Sequence, residues 1–284
     1  MTTRTAFVFA GGGSLGAVEV GMLRELVRAG VRPDFVIGAS AGAINAAYFA
    51  GAPHAEGVAA LQALWCNIRR RDVMPFSFTS FFRILLRRQE HLVHNGALRS
   101  LLQRSLDYQA IEETRLPLHV VASERVTGDE VVLSRGPVVE AVLASAAIPG
   151  VFPPISIGGR ELVDGGVCSN TPIAAAVRLG ATDVVVLPAG FACAVRTPPR
   201  GWIGHTLHAL SLVVARQLVQ DIEHFASQVR ICVVPALCPL EISSYDYDHC
   251  AALIERAAET TRSWLDGGGL GAAPNPGPLV FHTH

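Results

Sequence analysis

Thr5-Ala6-Phe7-Val8-Phe9-Ala10-Gly11-Gly12-Gly13-Ser14-Leu15-Gly16-Ala17 joins a strand-like apolar run to a loop with four glycines in six positions. Residues 5–10 read as a buried strand. Residues 17–29 read as a helix, with Val20, Leu23 and Val27 on one stripe and Gly30 at its end. A second short apolar run, Phe35 to Ala39, leads through Gly38-Ala39-Ser40-Ala41-Gly42 into a helix-like stretch ending near Ala50. Strand, glycine loop, helix, strand, turn and helix is the βαβ order of an α/β fold, a mostly parallel sheet covered by helices.

Glycines let a ligand approach the backbone closely, so the first loop suits either a nucleotide phosphate or a reacting carbonyl oxygen. Its letters satisfy the dinucleotide fingerprint, but that fold also needs an acidic residue at the end of the second strand. Here Asp34 precedes that strand, and Gly38 and Ser40 stand at its end. The Gly-x-Ser-x-Gly between strand and helix instead matches a nucleophile elbow, in which small neighbours permit a strained turn under a serine. In a right-handed βαβ unit both loops emerge at the same sheet edge, so the amides of Gly11, Gly12 and Gly13 can face the space above Ser40 and form an oxyanion hole.

Composition removes several alternatives. The formal net charge is −1 and the pI is near 6.8, which gives no footprint for nucleic acid. All 23 basic residues are arginine, so a Walker lysine, a Schiff-base lysine and a Ser-x-x-Lys acyl transferase are excluded. The six cysteines, Cys66, Cys168, Cys193, Cys232, Cys238 and Cys250, form no Cys-x-x-Cys and no metal-ligand spacing; they read as free buried thiols of a reducing compartment. The first apolar run is too short for a signal peptide. The uncharged stretch from Phe35 to Pro53 reaches spanning length, yet its Ala and Gly content and Asn45 favour a buried strand and helix.

Further along, residues 56–71 suit a helix, and residues 68–104 are basic and aromatic, either a lid or a surface that can meet anionic lipid or an arginine-rich helical excursion packing its phenylalanines on the domain. Strands are expected at 118–126, 130–133, 155–157 and 161–163, the pairs joined by Thr127-Gly128-Asp129 and Gly158-Gly159-Arg160. A helix follows Pro137, to Ala147. Helices are also expected at 172–179, 207–225 and up to 265, with strands at 183–187 and 229–234. Residues 1–266 read as a single domain and the Gly- and Pro-rich residues 267–284 as a flexible tail.

A nucleophilic serine needs a base. His205, His208, His224 and His249 are available for a Ser-His-Asp arrangement; Asp164, which ends a hairpin strand and precedes Gly165 and Gly166, could instead act directly. The glycine loop Gly11 to Gly16, the elbow Gly38 to Gly42 and Asp164-Gly165-Gly166, in that order, resemble the patatin-like phospholipase family. The stretch Ala144-Ser145-Ala146-Ala147-Ile148-Pro149-Gly150-Val151-Phe152-Pro153-Pro154 is similar to the family's approach to its aspartate. The resemblance implies a three-layer α/β/α fold and a Ser-Asp dyad that cleaves acyl esters of lipids with no metal, cofactor or histidine. Ser40 would be the nucleophile, Asp164 the base, and Gly16 the start of the first helix. The implied partner is a lipid or another acyl ester, with peripheral membrane contact open, and a cytoplasmic setting is expected. A non-catalytic lipid-binding member and an acyltransferase or thioesterase stay open as alternatives. Many members carry Arg or Lys where this chain has Leu15.

Overall fold

The structure, a computed structural model, describes residues 3–73, 93–190, 201–240 and 242–271. In chain order its elements are β1 (Thr5–Phe9), α1 (Gly16–Arg28), β2 (Phe35–Ala39), α2 (Ala41–Gly51), α3 (Ala55–Asn67), α4 (Arg70–Val73), α5 (Gly96–Ser105), β3 (Leu118–Glu124), β4 (Glu130–Leu133), α6 (Val138–Ser145), β5 (Ile155–Ile157), β6 (Arg160–Asp164), α7 (Ile173–Arg178), β7 (Asp183–Leu187), α8 (Gly201–Phe225), β8 (Arg230–Val233) and α9 (Cys250–Asp266). Five strands pair in parallel, β3 to β2, β2 to β1, β1 to β7 and β7 to β8; β4, β5 and β6 add antiparallel pairings beside β3.

Alternation along the strands builds the three layers. Phe7 and Phe9 of β1 face one core, with α1, α2, α3, α5, α6 and α9, while Ala6 and Val8 face a second core with α7 and the later half of α8. Residues on both faces of β1 and β2 are buried, which is why these strands read as continuous apolar runs. Within the first layer α1 lies against α9 at Gly21, where a Cβ would stand 2.2 Å from Ile254 O and 2.9 Å from Ala257 Cβ. Bidentate pairing of Arg24 with Glu255, and of Arg262 with the buried Glu25, ties the same two helices.

Several sequence expectations are corrected. The helix expected over 56–71 breaks at Ile68, whose ψ of 138° is extended, so α3 and α4 are separate. Helix α8 starts at Gly201 rather than 207. Cys66 and Cys238 are exposed and Cys168 is half-buried; only Cys232 and Cys250 of the described cysteines are buried thiols. Cys66 follows Trp65, the last of the inward residues Val58, Leu61 and Trp65 on α3, and so turns outward. The glycine run expected to open a flexible tail is instead held in its described part: Gly269 is buried against the Trp264 indole, and Arg230 Nη1 donates to Leu270 O at 3.1 Å. Residues 272–284 lie outside the described residues.

Of the basic segment, residues 74–92, with Phe76, Phe78, Phe81 and Phe82, lie outside the described residues. Its described flanks pack on the domain through Val73, Leu98 and Leu102, and Arg99 pairs with Glu140 of α6. No helix among the described residues is long and apolar enough to cross a membrane.

Replacing Gly21 by Ala should force α1 and α9 apart, because its Cβ would overlap a backbone carbonyl rather than a flexible side chain. A loss of about 1–3 kcal/mol is expected in urea unfolding, despite the better helix propensity of alanine.

Candidate active site

The site is set by one edge of β3. Pro117 O accepts Val36 N–H at the edge facing β2, and Arg125 N–H donates to Glu161 O of β6, whereas Glu124 N–H turns to Asp129 O beside β4. Backbone groups of successive residues point to opposite edges, so residues 117 and 125, an even number apart, share an edge and β2 and β6 lie along that same edge. β2 pairs as far as Ala39 opposite Val121, and β6 begins its pairing with Asp164 opposite Ala122. The end of β2 and the end of β6 therefore meet, Ser40 against Asp164.

Ser40 sits between β2 and α2 with φ 53° and ψ −123°, the one non-glycine residue of positive φ among the described residues. Such a left-handed conformation costs on the order of 1–3 kcal/mol and persists only where its surroundings hold it. The two glycines of Gly-x-Ser-x-Gly make room for the turn. A Cβ on Gly38 would lie 2.3 Å from Gly42 O, and one on Gly42 would lie 2.4 Å from Phe9 O. The turn leaves Ser40 at the amino end of α2, whose first amides have no acceptor within the helix.

Ser40 Oγ donates to Asp164 Oδ2 at 2.7 Å, and Gly166 N–H donates to Asp164 Oδ1 at 2.7 Å. Both carboxylate oxygens are thus occupied and the side chain is aimed. Asp164 keeps 6% of its surface and Ser40 8%, so a narrow opening reaches the pair. Burial raises the Asp164 carboxyl to about 6; the Ser40 and Gly166 hydrogen bonds oppose that rise without cancelling it. Ser123 Oγ donates to Asp164 O at 2.8 Å, and a Cβ on Gly165 would stand 2.2 Å from Val121 O, which shows how closely this loop crosses β3.

The glycine loop passes beside the serine, a Cβ on Gly11 standing 3.2 Å from Ser40 Cβ, and one expectation for it is corrected. Gly11 N–H donates to Asn170 O at 2.8 Å, and Asn170 Nδ2 donates back to Gly11 O at 3.0 Å. The Gly11 amide is spent on this two-point clasp and is not an oxyanion donor. Ser14 N–H is likewise taken by Ser244 O at 2.8 Å. Between them, the amides of Gly12 and Gly13 have no acceptor among the described hydrogen bonds, and Gly13 takes φ 59°. Gly16 opens α1, and a buried network lies behind it. Asn45 Nδ2 donates to Gly16 O and to Glu19 Oε2, Trp65 Nε1 donates to Asn45 Oδ1, and burial holds the Glu19 carboxyl well above its ordinary value.

Asn170, Ser123 and Ser145 were not singled out from sequence as site residues. Asn170 stands in an ordinary polar turn, Ser123 inside an apolar strand and Ser145 in an alanine-rich helix end, so no local pattern distinguishes them. Tyr245 lies within the electrostatic reach of Asp164: burial, and next the Asp164 charge, raise its phenol above the ordinary value. No histidine among the described residues hydrogen-bonds Ser40 or Asp164; His224 packs on Phe225 and His249 lies beside Asp246. Asp34, the residue nearest to a ribose-binding acid, bonds Thr5 N–H at the opposite end of β1 from the glycine loop. Leu15 packs toward Gly190 and Leu240, an apolar wall beside Gly12.

The fold and site together are those of an α/β sheet carrying a serine elbow, an adjoining buried aspartate and a glycine loop, and comparison with known proteins supplies the family. The patatin-like phospholipase profile matches residues 7–177, more than half of the chain, and the chain belongs to that family. An uncharacterized NTE family protein of Mycobacterium tuberculosis is 33% identical over 166 residues, covering 58% of this chain and 27% of that protein. Patatin-like phospholipase domain-containing protein 7 of Mus musculus is 28% identical over 198 residues, 65% of this chain and 13% of that protein. The chain thus spans about a quarter or less of the length of these two relatives. Among solved structures, human GIVD cytosolic phospholipase A2 in complex with methyl gamma-linolenyl fluorophosphonate aligns with TM-score 0.47 and 14% identity, over 93% of this chain and 58% of that one. VipD from Legionella pneumophila aligns with TM-score 0.46 and 15% identity, over 93% and 67%.

Because the Asp164 carboxyl is raised in the folded state from 3.8 to about 6, the stability linked to its protonated form is present below pH about 4 and is lost as pH rises through about 6. Asp164→Asn, neutral and of the same shape, should therefore match the parent at pH 4. At pH 8 it should exceed it by about 3 kcal/mol in urea unfolding.

Proposed function

We propose that this chain is a serine acyl hydrolase that cleaves carboxylic esters of lipids, a lipase or phospholipase A-type activity. The observation that carries the proposal is the buried hydrogen bond of 2.7 Å from Ser40 Oγ to Asp164 Oδ2, and membership of the patatin-like phospholipase family supports it.

On this reading Asp164 accepts the Ser40 proton as Oγ attacks the ester carbonyl carbon. The carbonyl oxygen becomes an oxyanion and takes the Gly12 and Gly13 amides, donors fixed in place before the reaction begins. Asp164 then gives the proton to the departing alkoxide, leaving an acyl-Ser40. Water attacks that ester, Asp164 takes its proton, and the same amides hold the second oxyanion until Ser40 Oγ leaves and is reprotonated. No histidine is required, because the aspartate is in direct contact with the hydroxyl and its raised carboxyl is a better proton acceptor than an exposed one. Gly165 and Gly166 serve by letting this loop approach β3 and by aiming Oδ1. Peripheral contact with a lipid surface belongs to the same proposal.

Hydrolysis of short p-nitrophenyl esters tests it. Ser40→Ala and Asp164→Asn should each lower kcat by on the order of a thousandfold or more, and fluorophosphonate should label Ser40 alone. Unchanged turnover in Ser40→Ala would remove the nucleophile assignment. For the parent, kcat/KM should rise with pH up to about 6 and then level, since the base must be ionised and Asp164 titrates near that value.

A further inference from the structure

One buried polar group touches the backbone of Ser40 and has no part in the chemistry above. Ser145, the last residue of α6, is fully buried; its Oγ accepts Ser40 N–H at 2.9 Å and donates to Val121 O at 2.5 Å. Two residues on, Ala147 O accepts Asp164 N–H at 2.9 Å. We propose that Ser145 is a positioning residue for the nucleophile, and that the carboxyl end of α6 sets the spacing between Ser40 and Asp164. This rests on the reading of Ser40 as nucleophile.

The chemistry of the gap explains why a hydroxyl stands there. Val121 is the last residue of β3 opposite β2, and the next, Ala122, is already opposite β6. The Val121 carbonyl points to the shared edge at the junction of the two strands, where it accepts from the Ser145 hydroxyl. Ser40 has left the extended conformation, so its N–H no longer reaches β3. The junction holds one buried acceptor and one buried donor, and each costs free energy if left unpaired. A single hydroxyl, with one proton and two lone pairs, satisfies both; alanine at 145 would satisfy neither.

Fixing Ser40 N–H also fixes the strained turn. With φ at 53°, the serine gains by relaxing unless its amide is held. Ser145 holds that amide while the peptide carbonyl two residues later holds the amide of Asp164. The two reacting side chains are therefore referenced to one short stretch, Ser145 to Ala147, at and just past the end of α6, rather than to separate loops. That helix is in turn tied to α5 by Arg99 and Glu140.

Ser145→Ala, titrated with a fluorophosphonate and assayed on p-nitrophenyl butyrate, tests the proposal. If Ser145 positions the nucleophile, folded Ser145→Ala titrates fully but slowly. Its turnover per titrated site then falls by about ten- to a hundredfold, with KM within about twofold of the parent. If the residue only supports the fold, the titratable fraction falls and turnover per titrated site stays at the parental value, which overturns the proposal. Should the alanine variant fail to fold, Ser145→Cys, whose thiol is a weaker acceptor, is judged by the same turnover per site. Ser40→Ala separates this inference from the one beneath it. Labelling that persists in Ser40→Ala removes the nucleophile reading and this inference with it. Ser40→Ala unlabelled, with Ser145→Ala at parental turnover per site, removes this inference alone.

Discussion

The exchange of partners along one edge of β3 is the constraint on which the rest of this structure depends. A parallel strand, β2, occupies that edge up to Val121, and an antiparallel strand, β6, occupies it from Ala122 onward. Because the two run in opposite directions, their carboxyl ends meet, and residues far apart in sequence, Ser40 and Asp164, come into hydrogen-bond contact. A wholly parallel sheet would place the loops after its strands side by side along one rim. The reversed hairpin of β5 and β6 brings one strand end directly onto another. Close approach at such a junction excludes side chains, which accounts for Gly165 lying against Val121 O.

This arrangement sets burial against charge. Asp164 is enclosed, and the influences on its carboxyl are burial together with two hydrogen bonds, from Ser40 and Gly166. Removing a carboxylate from water without a cationic partner favours its neutral form. The strained backbone at Ser40 adds a second local cost. Both are sustained by the surrounding layers: continuous apolar strands, the network of Asn45, Glu19 and Trp65, and the α1–α9 ion pairs. Stability gathered in those layers is what allows an unfavourable carboxylate and an unfavourable turn to coexist at one junction.

What was legible in the sequence was local. The alternation of β1, the glycine loop, the small residues around Ser40 and the Asp-Gly-Gly turn each announce themselves within a few residues, and with their order they suffice for an α/β fold and for the pair Ser40 and Asp164. The parts not legible depend on contacts across long separations. Three adjacent glycines look equivalent, yet Gly11 is taken by Asn170, 159 residues away, while the amides of Gly12 and Gly13 have no acceptor among the described hydrogen bonds. Ser145 looks like any small residue of an alanine-rich helix until β3 is seen to change partners beside it. The glycine run near the end looked like a tail because composition does not reveal that Trp264 lies over Gly269.

Leu15 shows how far the loop geometry is independent of the side chain that many family members place there as Arg or Lys. The loop is held on one side by the Asn170 clasp at Gly11 and on the other by Ser244 O at Ser14, both through backbone groups. The amides of Gly12 and Gly13 lie between these two anchors, and neither anchor requires a charge at position 15. The leucine turns aside toward Gly190 and Leu240 and adds apolar surface next to Gly12. Backbone anchors hold the two amides in place without help from a side-chain charge, so the loop keeps its geometry with leucine at position 15. What changes is the surface beside Gly12: leucine makes it apolar, and a charge desolvated against that surface would find no partner on this side chain.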